Sequence, residues 1–498
     1  MTNKSIQEIA QADIEIYFSD FFGVKAADLK AYGAFNISLI NDLPLFIDPF
    51  LLFNSKKPEY RGLHDEMIRY LRFLRDRAVG ERIDKGLVEA WFTFHEVKQN
   101  WLGFSKTGNS GSGLGLDFAH ALHMNLHSVF KDFGEEKVTK GSHLEKLTLI
   151  RSGVGRDNIS DFTTTLIKRY LLEYTQKFAC KHIRPELRKV HAVSKVSFNY
   201  DSESWENAAF DLPTHHGDFV ILTPKDMLTK DETWINRPEL IHKFEDIADA
   251  FPNEALRALI NNYFRQQLPK NPKAEELVEA KDRTIQRYPE IIEYYIRGKE
   301  DEGDRAESVS KLKVRRTEVV FIEHVKSLVA TLQACTSFYQ TTGDTYAEAH
   351  ERINFLKDVI ENKDGYRIFW HEGQPVRKEE DLQILFRLTW FGTPSDVNRE
   401  VNNGRGPVDF KISRGAADKS LVECKLASNS KLKQNLQNQT AIYERASDAK
   451  RTLKPIVYFT EAELHKVQAI LRELDMVDDE DIILIDARRD NKPSASTA

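Results

Sequence analysis

The sequence predicts a multidomain α/β protein in three parts: a mixed α/β domain over residues 1–235, a helical region over 236–365, and a C-terminal α/β domain over 366–498. Two observations predict it. The chain's 498 residues exceed the length at which a single hydrophobic core stops growing. Its hydrophobic periodicity also changes twice, from mixed to helical near residue 236 and back to mixed near residue 366.

In the first part, apolar runs such as LPLFIDPFLLF and DFVILTP alternate with helical stretches such as HDEMIRYLRFLRDRAV and ISDFTTTLIKRYLLEYTQKFA. In the middle part strand signals nearly vanish, and Phe321, Ile322, Val325, Leu328, Val329 and Leu332 fall on one helical stripe. The charged run GKEDEGDRAES near residue 300 offers no apolar face and is expected to be a solvated loop. In the last part, the expected elements are a helix over EEDLQILFRLTW, strands over DVNREV, PVDFKIS and SLVECKLA, and a helix over LKQNLQNQTAIYERASDAKR. A strand over PIVYFT, a helix over EAELHKVQAILREL and a strand over DIILIDA complete the order αβββαβαβ.

Composition narrows the function. With 41% hydrophobic, 10% aromatic and 30% charged residues, the chain is neither disordered nor fibrous. The N-terminus lacks a basic segment followed by an apolar run, and no stretch approaches the roughly eighteen apolar residues that span a bilayer. A cytoplasmic protein with no membrane partner is expected. Cys180, Cys335 and Cys424 are too few and too scattered for a disulfide framework or a zinc knuckle, and each is expected to be a small buried residue. The net charge of −6 opposes a wholly basic nucleic-acid coat, yet residues 401–460 hold eleven Lys/Arg against five Asp/Glu, a basic surface that suits phosphate.

Chemistry concentrates in this C-terminal part. Period-two alternation along Val408–Ser413 turns Asp409 away from Val408, Phe410 and Ile412, and in SLVECKLA it sets Glu423 and Lys425 together, opposite Val422, Cys424 and Leu426. The short RGAADK segment between the two strands suits a hairpin, so Asp409 and Glu423 converge on adjacent strands. Two carboxylates plus a backbone carbonyl, with Cys424 as the intervening ligand position, suit magnesium, and manganese can substitute. Lys425 beside them is placed to orient or deprotonate a water and to neutralise a phosphate oxygen. Gln439 and Tyr443, four residues apart, share one helix face with Leu432, Leu436 and Ala446.

The motifs GRGPVDF, VECKL and QTAIY, in this order and on these elements, resemble those of the PD-(D/E)xK nuclease superfamily, over about 130 residues. The resemblance implies a C-terminal restriction-endonuclease-like αβββαβ core and a magnesium-dependent nuclease. It also implies functional positions at Asp409, Glu423, Lys425, Gln439 and Tyr443. An additional acid from the first core helix falls on Glu380, with Glu379 and Glu400 as alternatives. One departure is that Val408 separates Pro407 from Asp409. By analogy with such domains fused to large accessory regions, DNA is the expected substrate, with RNA as an alternative. The same analogy suggests bacterial restriction or anti-phage defence, a homodimer and partner proteins of a defence system. The alternative reading is a catalytically silent nucleic-acid-binding or scaffold protein with a nuclease-like fold.

Four other features read as structural. GNSGSGLG at 108–115 lacks the Gly-Lys-Ser/Thr of a nucleotide loop and is expected to be a turn. His215 and His216, on an extended segment with Asp218, are expected to point opposite ways. Gly153, Gly155, Asp157 and Asp161 read as a turn and cap ahead of a helix. The basic run Lys311, Lys313, Arg315 and Arg316 reads as a solvated helix face, with phosphate contact as its alternative.

Overall fold

The computed structural model describes residues 15–79, 84–94, 96–103, 136–150, 155–340, 343–390, 396–398, 410–414, 418–437 and 451–492. The glycine-rich run 108–115 and Gly153 lie outside the described residues. Over those described, the chain is mixed α/β, with several small sheets and a helical middle.

The N-terminal region is closed by a pairing between its two ends. The strand Leu45–Ile47, buried at every residue, runs antiparallel to Leu228–Lys230. Immediately after it, Asp48 caps the helix Pro49–Phe53 by accepting from the Phe50 amide at 3.0 Å, and its second oxygen accepts from the Trp234 amide at 2.7 Å. One buried carboxylate therefore ties the start of the region to its end.

A long hairpin, Arg188–Asn199 with Ser204–His215, was not foreseen from the sequence. Along its first strand only Val193 and Val196 are buried, so the alternation that marks a half-buried strand is weak, and a register shift between Val193 and Ser197 breaks it further. The second strand ends in a turn at His216, whose φ is +47°. The His215 and His216 rings consequently do not diverge; their centroids are 4.1 Å apart. Gly155 sits at the N-cap of the helix Arg156–Leu166, as a cap should, but Asp161 lies inside that helix.

In the middle, the helices Glu290–Asp301 and Gly303–Glu318 follow each other almost without a break. The expected solvated loop near residue 300 is thus helical, and part of it is buried. Glu300, 5% exposed, accepts from the amides of Lys140 and Gly141 and contacts His143 Nε2 at 2.9 Å. Lys299 bonds Glu239 at 2.5 Å and lies 3.7 Å from the Trp234 ring centroid. Charge here is absorbed by partners distant in sequence, which periodicity cannot reveal. The stripe farther on behaves as expected, with Phe321, Val325, Leu328, Val329 and Leu332 buried. Among the cysteines only Cys424 is buried, while Cys180 and Cys335 are exposed.

The C-terminal region builds one mixed sheet. Strands Asp396–Asn398, Phe410–Arg414 and Asp418–Val422 form an antiparallel meander. Thr452–Tyr458 then runs parallel to Asp418–Val422, and Ile482–Asp486 runs parallel to Thr452–Tyr458. Thr452–Tyr458 is buried at every residue, as a strand flanked by parallel neighbours and covered on both faces must be. The helix Thr345–Asn362, which periodicity alone assigns to the middle region, packs on this sheet. Its first residue donates to Asp418 through both its amide and its hydroxyl. A single core joins Phe178 from the first part, Phe321 and Leu328 from the middle, and Phe386, Phe410 and Ile485 from the last.

Candidate active site

The strand that begins at Asp418 is interrupted at Glu423 and Cys424 and resumes as Lys425–Leu426. Both halves keep one register against Thr452–Tyr458, with Val422 opposite Leu453 and Lys425 opposite Ile456. The Glu423 amide still donates to the Leu453 carbonyl at 2.8 Å. Interruption without loss of register fixes where the two side chains emerge.

Glu423 and Lys425 are 4% and 7% exposed, and Lys425 Nζ lies 2.9 Å from Glu423 Oε1. A solvated ion pair on an open sheet face is therefore ruled out. Sequestering such charges costs several kcal/mol per ion unless each is paired, so they are retained together. The third member is Glu379, the first residue of the helix Glu379–Trp390. Its Oε2 lies 3.8 Å from Lys425 Nζ, and its Oε1 accepts from the Leu426 amide at 3.2 Å and from Asn429 Nδ2 at 2.7 Å. The expected Glu380 is exposed. Glu379 is the one turned toward the interrupted strand, because successive helical residues point about 100° apart.

Asn429 and Lys466 were not singled out from the sequence. Lys466 Nζ donates to the carbonyls of Ala427 and Asn429, both at 2.9 Å, and braces the turn after the strand. Neither belongs to a motif, so no sequence signal marks them. Asp409, Gln439, Tyr443 and Glu400 lie outside the described residues. The strand pairing does set Phe410 opposite Val422, the sequence neighbours of Asp409 and Glu423 respectively.

Two carboxylates bracket a cation in this group, with Lys425 Nζ as that cation. Among the described residues, no group of three or more His, Cys, Asp or Glu is placed to hold a metal ion.

An acid, lysine and acid are gathered on an interrupted strand and a helix start within a mixed α/β fold. Residues 23–236 match a family described as a domain of unknown function (DUF8370), and residues 345–461 match a second, described as a domain of unknown function (DUF8371). The second match begins with the helix Thr345–Asn362 and contains Glu379, Glu423 and Lys425. No curated protein and no solved structure matches the chain. Among the described residues, no helix is long and apolar enough to cross a membrane.

Proposed function

We propose that the C-terminal region is a metal-dependent nuclease of the PD-(D/E)xK type that hydrolyses phosphodiester bonds, with DNA as substrate. The observation that carries the proposal is the buried Lys425 and Glu423 pair at the strand interruption, with the half-buried Glu379 beside it. The order of a helix, three meandering strands, a helical start at residues 432–437 and a parallel strand supports it.

In this reading Glu423 and Glu379, with Asp409 as assigned from the sequence, would hold magnesium, and the Cys424 carbonyl would be the further ligand. Bound magnesium supplies Lewis-acid stabilisation of charge on a scissile phosphate. Lys425 holds the attacking water by an amine hydrogen bond and neutralises a phosphate oxygen. Its two carboxylate neighbours hold its amine in place. Asn429 and the Leu426 amide fix the Glu379 carboxylate, so that its position does not depend on the ion. By analogy with similar domain fusions, the setting is defence against foreign DNA.

Incubating the full chain with linear and circular DNA, with and without magnesium or manganese, tests this. Metal-dependent cutting by the wild type that is lost in a folded Lys425→Ala variant is expected. Metal-independent binding without cutting by either protein would favour a silent nucleic-acid-binding module.

A further inference from the structure

A cleft of about 540 Å³ lies where the three parts of the chain meet, beside the helix that carries Glu379. Five cations line it: Lys230 from the first part, Lys313 and Arg316 from the middle, and Arg377 and Lys378 from the last. Asp231 and Asp381 are its acids, leaving a surplus of three positive charges. Each acid is already held by one lysine: Lys378 bonds Asp231, and Lys230 bonds Asp381 at 3.0 Å.

The remaining cations are not neutralised within the cleft. Lys313 donates to the Lys230 carbonyl at 3.0 Å, and Arg377 donates to Gln374 Oε1 at 2.7 Å, both neutral acceptors. Arg316 pairs with Glu372, which is 55% exposed in its side chain, outside the lining. Burial alone would raise the Asp231 carboxyl, yet Lys378, Lys230 and Lys313 hold it below its ordinary value, a sign of the positive field. Phe369 and Val376 supply an apolar floor, and low-dielectric walls focus such a field on an entering anion.

We infer that this cleft binds backbone phosphates of the nucleic acid strand whose scissile bond sits at Glu379, Lys425 and Glu423, an inference that rests on the nuclease reading. Geometry favours a strand over a small anion. Lys378 is adjacent to Glu379 in sequence, while Asp381 and Glu379, two positions apart, face opposite sides of the same helical turn. A helix is about 10 Å across, and duplex rise is about 3.4 Å per nucleotide. The cleft and the site thus lie on opposite sides of one helical turn, about a helix diameter apart, a span that successive phosphates of one strand can cover. The basic run at 311–316 divides accordingly: Lys313 and Arg316 face the cleft, whereas Arg315 bonds Glu323 at 2.6 Å.

The test measures binding of the full chain to a labelled DNA duplex by fluorescence anisotropy, in chelator so that no cleavage intervenes, across a salt series. Lys313→Ala/Arg377→Ala is expected to weaken binding by about tenfold or more and to lessen the slope of log affinity against log salt by about two. The charge-preserving pair Lys313→Arg/Arg377→Lys should restore both, which separates charge from folding. Unchanged affinity and slope in the alanine pair would overturn the cleft assignment and leave the nuclease reading standing. No duplex binding by the wild type at low salt would also overturn it, and cleavage in magnesium, scored separately, then decides the nuclease reading.

Discussion

The Glu379 carboxylate approaches Lys425 from a different element, with Oε2 3.8 Å from Lys425 Nζ and Oε1 bonded to the Leu426 amide at 3.2 Å. Helix start and strand interruption are thereby held in one geometry. This makes Glu379, and not its neighbour, the acid whose loss should be felt. Glu379→Gln is expected to lower metal-dependent cleavage by about 10²-fold, a larger loss than Glu380→Gln. Single-turnover rates of the two variants side by side check it, and a larger loss at Glu380 would refute the assignment.

Magnesium should also be detectable without substrate. An ion bound only by the folded state at a hundred times its dissociation constant adds about 2.7 kcal/mol. The wild-type melting temperature is expected to rise on magnesium titration, and the rise should shrink in Glu423→Gln and Glu379→Gln. Equal rises in all three proteins would place the ion elsewhere.

A second consequence concerns the N-terminal region. Glu145 is fully buried, and among the described residues neither of its carboxylate oxygens has a hydrogen-bond partner of normal geometry. Burial, then the charge of Asp48, pushes its carboxyl well above the usual range; the Phe50 amide and its own offset this only in part. A raised acid contributes stability at low pH that is lost as pH climbs past its ordinary value near 4.5. Glu145→Met, which removes the charge at similar length, is therefore expected to stabilise by about 1–3 kcal/mol near pH 8, and by less at pH 5. Thermal unfolding at both values checks this. A variant less stable than wild type at pH 8 would show that the carboxyl has a partner in solution.

His64 carries the opposite sign. It packs 5.2 Å from the Phe53 ring and 6.1 Å from His143, and burial together with His143 pushes it down to about 3. The folded chain keeps it neutral while the unfolded chain takes up a proton near 6.5, so stability falls as pH drops from 6.5 toward 3. The loss approaches about 1.4 kcal/mol per pH unit for one such group. His64→Gln should flatten the fall in melting temperature between pH 6.5 and 4. An unaltered profile would shift the effect to His143 or His215, the latter pushed down to about 4 by burial and by His216.

Periodicity made the C-terminal elements legible: EEDLQILFRLTW coincides with the helix Glu379–Trp390, and PIVYFT and DIILIDA fall on the strands Thr452–Tyr458 and Ile482–Asp486. The pairing of Glu423 with Lys425 was legible too, because alternation along one strand is a local rule. Local rules end where separate segments meet. The sequence favoured Glu380 over Glu379, and only the placement of their helix against the interrupted strand turns Glu379 toward Lys425. Glu300 reads as a solvated charge until His143 and the Lys140 amide fold onto it. The basic cleft has no signature, since its cations come from three stretches of chain. By itself the sequence determined the main helices and strands of the C-terminal part and which of their residues share a face, because these follow from backbone periods of 3.6 and 2. Tertiary structure alone decided which charges lie within reach of one another, because Coulomb and hydrogen-bond energies depend on separation in space and not along the chain.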